Sequence, residues 1–335
     1  MRQPAALPAV LVMMSAFALP QAPTSSSATA RVPAPVLWKN PGNIQSLNLF
    51  YGPGGKKHQP QVPVEFIKED SQGTSPKFDV RDHDGEKWKA KLGPEARPET
   101  VAARLLWAVG YAANENYFFS DLKVENLPPQ LQRGQSFVSA PDDVKAVRLQ
   151  RHPGGDKKNG IWKWRHNPFT GTREFNGLRV MMALINNWDL KDENNAIFDD
   201  PAAPGRQLYE VTDVGASFGK SGRTYSEVAS KGNLKSYTHS KFISKIVPDY
   251  VDFNFPTHPP LVDFFIEPSF FWHQMRQRWI GRHIPRAHVR WIASLLAQLS
   301  PEQIRDAFRA ADYPPDQIEA YAAALEARIA QLNKL

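Results

Sequence analysis

The sequence predicts an α+β fold with two lobes, a small β-rich N-terminal lobe and a mostly helical C-terminal lobe. Three observations support this prediction. Short apolar segments separated by turn residues fill positions 64–149, helical periodicity dominates positions 285–335, and a helix, a polar loop and two short strands follow one another over positions 178–215. A chain of 335 residues with 41% hydrophobic content is long enough to bury one large core or two lobes.

Residues 1–30 resemble a secretory signal peptide. Arg2 precedes an apolar run over positions 5–19, and small residues at 16–18 and 28–30 fit cleavage patterns. The run is shorter than the ~20 residues that a membrane-spanning helix needs. A disordered leader is the alternative, because Pro4 and Pro8 interrupt the run. We expect a periplasmic or secreted protein, or a cytoplasmic one if the segment is not a signal.

The composition excludes several kinds of site. The chain has no cysteine, which excludes disulfides, a thiol nucleophile and cysteine-based zinc sites, and its 9 histidines show no spacing typical of zinc ligands. Lysine and arginine outnumber acidic residues by 41 to 34, which favours anionic partners in general. No long basic run or RNA-binding signature accompanies this excess, so no nucleic acid is indicated. No segment after residue 30 is predicted to span a membrane.

The N-terminal lobe, which we assign to residues 31–150, is predicted as a five-stranded sheet with one helix. A meander of three strands is followed by a helix from Pro98 to about Val109, because proline opens helices well and Gly110 can end this one. The predicted strands are Val64–Ile67, Phe78–Arg81, Trp88–Leu92, Asn116–Val124 and Val144–Leu149.

The C-terminal lobe, residues 151–335, is predicted to be mostly helical. Residues 161–166 alternate aromatic and basic side chains and are predicted as a half-buried edge strand, with a substrate-cleft wall as the alternative. An apolar stripe runs through 285–299, Ser300 with Pro301 and Gln303 has the pattern of a capping box, and Pro315 starts a last helix.

The organising stretch lies at the start of this lobe. Leu178, Met181, Met182 and Ile185 fall at i, i+3, i+4 and i+7, which predicts a helix buried on one side. A polar loop, Asp-Leu-Lys-Asp-Glu-Asn over 189–194, follows this helix. Two short strands then lead to Asp-Val-Gly over 213–215. This order places several oxygen ligands and one lysine on neighbouring loops.

The D-x-K-x-x-N loop followed by D-x-G resembles the catalytic and metal-binding loops of protein kinases. The resemblance implies that Asp189 accepts the proton of the acceptor hydroxyl, Lys191 stabilises the transferring phosphoryl group, and Asn194 and Asp213 hold Mg²⁺. Amide and carboxylate oxygens suit that ion. Asn195 replaces Asn194 if the loop registers one residue later. ATP and Mg²⁺ are the implied cofactors, and the phospho-acceptor, whether protein, lipid, sugar or small molecule, stays open.

The same resemblance assigns a phosphate anchor in the N-terminal lobe. Lys91 lies where a kinase carries the lysine that meets the nucleotide phosphates, although Lys89 shares its strand face and alternation cannot separate the two. Glu99 shares a helical stripe with apolar residues and can pair with Lys91. The alternative for Glu99 is an exposed acid favoured by the helix dipole.

A short loop supplies the other predicted phosphate contacts. The segment Gly73-Thr74-Ser75-Pro76-Lys77 resembles the phosphate-side loop of the HipA-like bacterial kinases, which also lacks the common glycine pattern. By this resemblance Gly73, Thr74 and Ser75 bind the nucleotide phosphates.

Two features favour other functions. Val214 stands where many kinases have phenylalanine, and Asn187-Trp188 where they have His-Arg. The altered His-Arg position and the irregular phosphate loop favour a pseudokinase that binds nucleotide without turnover, or an interaction module. The segment 215–219 also matches G-x-S-x-G, the nucleophile elbow of serine hydrolases, with Ser217 as nucleophile. That elbow requires a helix directly after the serine, which the sequence Lys-Ser-Gly-Arg does not predict.

Overall fold

The computed structural model describes residues 33–73, 75–152, 155, 157–219, 231–254, 264–265 and 268–335. The predicted leader, residues 1–30, and Thr74 lie outside the described residues. The strands are β1 (Ala34–Val36), β2 (Val64–Asp70), β3 (Lys77–Arg81), β4 (Lys87–Leu92), β5 (Glu115–Glu125), β6 (Val138–Ala140), β7 (Asp143–Arg151), β8 (Asn195–Asp199), β9 (Arg206–Val211), β10 (Ile243–Ile246), β11 (Tyr250–Phe253) and β12 (Ile284–Pro285). The α-helices are α1 (Ala96–Ala108), α2 (Arg173–Leu184), α3 (Leu234–His239), α4 (Pro268–Gln277), α5 (Arg286–Leu296), α6 (Pro301–Arg309) and α7 (Pro315–Asn333).

The first sheet contains every strand predicted for the N-terminal lobe. Its order is β4-β3-β2-β5-β7-β6, and β4 also pairs with β7, so five strands close into a ring. Alternation along β4 directs Trp88, Ala90 and Leu92 into the apolar interior of the ring, which leaves Lys89 and Lys91 on the opposite face. Strand β6, which the sequence did not predict, pairs with β7 outside the ring.

Helix α2 lies in the centre of the second lobe. Its stripe of Leu178, Met181, Met182 and Ile185 is fully buried, as expected, and the N-terminal cap is Thr172, whose Oγ1 accepts from the amide of Phe175 at 3.2 Å. The prediction of burial on one side was too narrow, because the helix is buried from 175 to 184 on all faces. Neighbouring helices supply the additional cover, with α5 packed directly against it.

The second sheet has the order β1-β9-β8 and extends from the helical lobe's core. Strands β8 and β9 form the predicted antiparallel pair, whereas β1 joins β9 in parallel. Residues Leu37, Ile44 and Leu49 after β1 are buried in the core that also contains α2, α5 and α7. The segment 33–49 therefore packs with the second lobe, although the sequence assigned it to the first.

The aromatic-basic segment 161–166 is not an edge strand, contrary to the prediction. The preceding residue, Gly160, makes an isolated bridge with Ile197, and the segment itself has no strand and then bends. Trp162 and Trp164 are both buried, and the Trp162 indole donates to the carbonyl of Glu210 at 2.9 Å. Alternation misled the prediction because the two indoles are anchored in the core, while the basic residues between them stay exposed.

The C-terminal helices follow the prediction closely, and the predicted α+β fold class is confirmed. The Ser300 hydroxyl accepts from the amide of Gln303 at 3.1 Å and the Gln303 side chain accepts from the Ser300 amide at 3.0 Å, so the capping box is complete. Of the helices that the structure describes, none has the length and apolar character needed to cross a membrane.

Candidate functional site

A cleft of about 540 Å³, which we call the lobe-junction cleft, lies between the closed sheet and the β8–β9 pair. Its walls come from the loop after β2, from β4, α1 and β7, and from the loops around β8 and β9. The predicted site residues that line it are Gly73, Ser75, Lys91, Glu99, Asn194 and Asp213. The fold thus brings residues more than 100 positions apart in the chain into one cavity.

Lys91 is the centre of an ion-pair network in this cleft. Its Nζ lies 3.0 Å from Glu99, 2.7 Å from Glu95 and 3.4 Å from Asp213, and its side chain is only 10% exposed. Lys89, the alternative phosphate anchor, pairs instead with Asp70 at 2.7 Å and has no contact with Glu99 among the described ion pairs. The geometry therefore favours Lys91.

Helix α1 positions the carboxylates that hold Lys91. Glu95 is the cap residue before α1 and Glu99 lies in its first turn, so the two are one turn apart on the same face. The other oxygen of Glu99 accepts from Arg148 on β7 at 2.9 Å, and Glu95 also pairs with Lys231. Glu99 is thus a buried carboxylate between two cations.

These contacts shift the protonation equilibria of the network. Burial alone would lower the pKa of Lys91, but the carboxylates of Asp213, Glu99 and Glu95 outweigh it and raise that pKa well above its usual value. Burial likewise opposes ionisation of Glu95, yet Lys91 and Lys231 hold its pKa well below its usual range. Glu95 and Lys91 are both charged at neutral pH.

The loop after β2 contributes to the same wall. Gly73 has φ +69°, a backbone conformation that favours glycine, and lies at the cleft with Ser75. The Ser75 hydroxyl donates to Glu95 at 2.7 Å, which ties the loop to the ion-pair network. Thr74, the third predicted phosphate contact, is outside the described residues.

The predicted catalytic loop is stabilised by its own side chains. The Asn187 Oδ1 accepts from the backbone amide of Asp189 at 3.1 Å, and the side-chain Nδ2 of Asn194 donates to the Asp189 carbonyl at 2.8 Å. Lys191 lies 3.0 Å from the Asp189 carboxylate. Lys191 does not line the lobe-junction cleft, however. It lines a neighbouring cleft that shares Glu193 with it.

Asn194 and Asp213 lie on loops that are bonded to each other. The carbonyl of Asn194 accepts from the amides of Thr212 at 2.8 Å and Asp213 at 3.3 Å. The Asp213 side chain is 42% exposed. The Asn194 Nδ2 donates to Asp189, which leaves Asn194 Oδ1 as the side-chain oxygen available to a metal ion. Asn195 is fully buried and donates to the Trp162 carbonyl at 3.1 Å, so it does not suit the metal role.

A second set of oxygens could also hold a cation. Carboxylate oxygens of Glu95, Glu99 and Asp213 lie within 4.8 Å of one another. The ammonium group of Lys91 contacts all three, so a divalent ion there would have to displace a buried lysine. The pair Asn194 and Asp213 fits Mg²⁺ better, because this ion needs only one or two protein ligands beside phosphate and water.

Sequence reasoning missed three members of the network: Glu95, Arg148 and Lys231. Glu95 belongs to no recognised motif, and Lys231 is separated from its partner by 136 positions. Arg148 had a weak signal, because it stands between the apolar residues Val147 and Leu149 of β7, and the structure shows it only 1% exposed. A charge that is buried to this degree needs a partner.

The serine-hydrolase alternative is contradicted by the position of Ser217. This residue is 0% exposed, so its hydroxyl is not accessible to a substrate.

A separate cavity of about 310 Å³ adjoins the lobe-junction cleft and shares His152 with it, but contains none of the predicted site residues.

Comparisons with known proteins gave only distant structural matches. No protein-family model and no curated protein matches the chain. Its structure is similar to the Helicobacter pylori proinflammatory kinase CtkA, with 11% sequence identity and a TM-score of 0.34 over 80% of this chain and 98% of that one. It is also similar to the Golgi casein kinase, with 11% identity and a TM-score of 0.30 over 87% and 78%.

The order of elements in the structure follows the order that the sequence motifs predicted. A closed five-stranded sheet with one helix against it precedes a buried helix, a D-x-K-x-x-N loop, a strand pair and D-x-G. Neither similar structure is described as a HipA-like kinase, so that finer resemblance stays a prediction.

Proposed function

We propose that this protein is an ATP- and Mg²⁺-dependent phosphotransferase. The observation that supports the proposal most directly is the Lys91–Glu99 ion pair at 3.0 Å, with Asp213 3.4 Å from the same ammonium group, in a cleft that Asn194 also lines. An anchored cation beside two oxygen ligands suits the phosphates of a nucleotide and their metal ion. The cavity volume of about 540 Å³ lies within the range of small-molecule sites.

In the proposed reaction, the acceptor hydroxyl forms a bond to the γ-phosphorus as the bond from that phosphorus to ADP breaks. Asp189 takes the hydroxyl proton, and Lys191 stabilises the charge of the transferring group. Lys91, held by Glu99, positions the nucleotide phosphates. Asn194 and Asp213 would hold Mg²⁺, whose positive charge would offset that of the phosphates.

Removing the charge of Asp213 tests the nucleotide site. We expect Asp213→Asn to weaken Mg-ATP binding by about 10–100-fold, a range typical even for residues that only support metal ligands. Binding of ATP without metal should not weaken, because the metal contact is absent there and loss of the Asp213 charge leaves Lys91, 3.4 Å away, more available to phosphate. Isothermal calorimetry with and without Mg²⁺ measures both quantities. The control is Asp199→Asn on β8, an exposed position outside the cleft. Absence of wild-type binding at millimolar Mg-ATP would contradict the proposal.

Glu95 competes with phosphate for Lys91. Its carboxylate lies 2.7 Å from that ammonium group and is held there by Ser75 and Lys231, so a phosphate must displace it or share the cation. We expect Glu95→Gln to raise Mg-ATP affinity about fivefold, equivalent to about 1 kcal/mol. Glu99→Gln should have the opposite effect, since Glu99 orients Lys91. Titration calorimetry measures the Mg-ATP affinity of both variants. Weaker Mg-ATP binding by Glu95→Gln than by the wild type would refute the competition.

A pseudokinase that binds nucleotide without turnover is the second candidate function. It is favoured by the three carboxylates that already neutralise Lys91, and by Asn187-Trp188 before Asp189. Turnover of radiolabelled ATP, including autophosphorylation, separates the two functions. Tight Mg-ATP binding by the wild-type protein without any turnover would identify the pseudokinase.

A further inference from the structure

A second cleft, of about 280 Å³, lies on the other side of the catalytic loop. We call it the basic cleft. Lys191 lines it, and Glu193 lines both this cleft and the lobe-junction cleft. A molecule in the basic cleft would therefore lie next to the residues proposed to carry out the transfer, on the side away from the nucleotide phosphates.

Lysines and arginines outnumber acidic residues in this lining by four to two. The basic residues are Lys163, Arg165, Lys191 and Arg276. Of these, Lys191 pairs with Asp189 at 3.0 Å, whereas no acidic side chain of the described residues pairs with the other three. Of the two acids, Asp192 accepts from the Trp164 amide at 3.0 Å, which commits one of its oxygens to holding the wall of the cleft. Within the part of the chain that the structure describes, the cleft thus has cationic groups without counter-ions.

The walls that present these cations are well supported. The Arg165 guanidinium lies 4.6 Å from the centre of the Trp279 ring, in cation–π geometry. The turn containing Trp279 is held by Arg179, which donates to the carbonyls of Ile280 at 2.8 Å, Trp279 at 3.0 Å and Arg282 at 2.6 Å. The position of Arg165 is therefore set before any ligand binds, which lowers the entropy cost of binding.

From these observations we infer that the basic cleft binds an acidic segment of a protein acceptor, with carboxylates next to the hydroxyl that receives the phosphoryl group. This inference rests on the proposed phosphotransferase function, because the cleft's role as an acceptor site depends on transfer occurring beside it. The floor includes the buried apolar side chains of Trp164, Leu190 and Ile280, which suit the backbone and aliphatic atoms of a peptide.

The distribution of charge favours a peptide over other anions. Lys163, Arg165, Lys191 and Arg276 are all exposed along the rim, whereas a small phosphorylated molecule is typically enclosed by a few convergent polar groups. Single-stranded nucleic acid requires aromatic faces on which bases stack. The ring face of Trp279 is already covered by Arg165. Separate exposed cations match the spaced carboxylates of an extended acidic segment.

Binding of fluorescent peptides to the full chain tests the inference. The probes are serine peptides of one length with flanking glutamate, alanine or lysine, followed by fluorescence anisotropy at low salt. We expect the glutamate peptide to bind at least about tenfold more tightly than the lysine peptide. Its affinity should fall as the salt concentration rises. The double variant Arg165→Glu and Arg276→Glu should bind the glutamate peptide at least about tenfold more weakly than the wild type. The control is Lys145→Glu, which changes an exposed lysine of the other lobe and should leave this affinity unchanged.

The outcomes separate this inference from the proposed function. Equal binding of the acidic and basic peptides, or unchanged binding by the double variant, would overturn the inference. Stronger competition by a single-stranded oligonucleotide or by glucose 6-phosphate than by the unlabelled glutamate peptide would also overturn it. Acidic-peptide binding that depends on Arg165 and Arg276 supports the cleft assignment even if Mg-ATP calorimetry on the same sample shows no binding, which would contradict the proposed function alone.

Discussion

Replacing Asp189 with asparagine is expected to reduce turnover by about 10²–10⁴-fold, the usual contribution of a general base. Mg-ATP affinity should stay within about twofold, because the Asp189 carboxylate contacts Lys191 and not the Lys91 network. The backbone of the loop should be preserved, since its bonds to Asn187 and Asn194 use the Asp189 amide and carbonyl. Radiolabelled ATP turnover and titration calorimetry on the same preparation measure the two effects.

The matched control for this variant is again Asp199→Asn, which removes an exposed carboxylate shortly after the same loop. Its partner is the Asn159 side-chain amide at 2.6 Å, and an asparagine can still accept that bond. We expect turnover within about twofold of wild type. Intact turnover in Asp189→Asn would remove that residue from the chemistry, and loss of Mg-ATP binding would instead place it in the nucleotide site.

The elements that were predicted correctly are those whose information is local. The stripe of Leu178, Met181, Met182 and Ile185 specifies a buried helix through its spacing alone. The capping box of α6 requires residues only three positions apart, and it forms as expected. The strands of the closed sheet alternate in burial over short runs, so their existence was predictable, although their ends differ by a few residues.

The features that were missed depend on contacts between distant parts of the chain. Strand β1 has only three residues, and its parallel pairing with β9 joins positions about 170 apart, as in Val36 with Leu208. No periodicity in so short a segment can specify such a partner. Likewise Glu95 becomes part of the site only because α1, β4 and the residue Lys231 meet there. Alternation failed at Trp162, where core packing of the indole determines the backbone.

A buried arginine connects the last helix with the end of α2, three residues before Asp189. Arg328 on α7 is 3% exposed and donates to the carbonyl of Leu184 at 2.8 Å and to Asn186 Oδ1 at 2.8 Å, at the end of α2. It also donates to the carbonyl of Tyr237 at 2.9 Å, and its guanidinium lies 3.9 Å from that ring's centre. A cation at the C-terminus of a helix is favoured by the helix dipole. Arg328 thus stabilises the point from which the loop starts.

We expect Arg328→Met to lower the free energy of unfolding by about 3 kcal/mol, because several buried acceptors lose a charged donor. Arg309→Met should cost less than about 1 kcal/mol, since the partly exposed Arg309 forms surface ion pairs with Glu302 and Asp306. Urea denaturation measures both values.

The effect of Arg328→Met on function should follow from its position. Asn186 has φ 54°, and its side-chain Nδ2 donates to the carbonyl of Gly219 at 3.0 Å and to the Ser240 hydroxyl at 2.8 Å. Asn186 therefore fixes the position at which the chain turns from α2 towards Asp189. Losing Arg328 should therefore lower kcat, with Mg-ATP affinity within about threefold, because Arg328 does not line the lobe-junction cleft. Arg328→Lys keeps the charge but not the fork of donors. Its stability and its kcat should therefore lie between those of the wild type and those of Arg328→Met. A loss of stability without any change in kcat would show that the loop is positioned by its own bonds to Asn187 and Asn194 and not by the last helix.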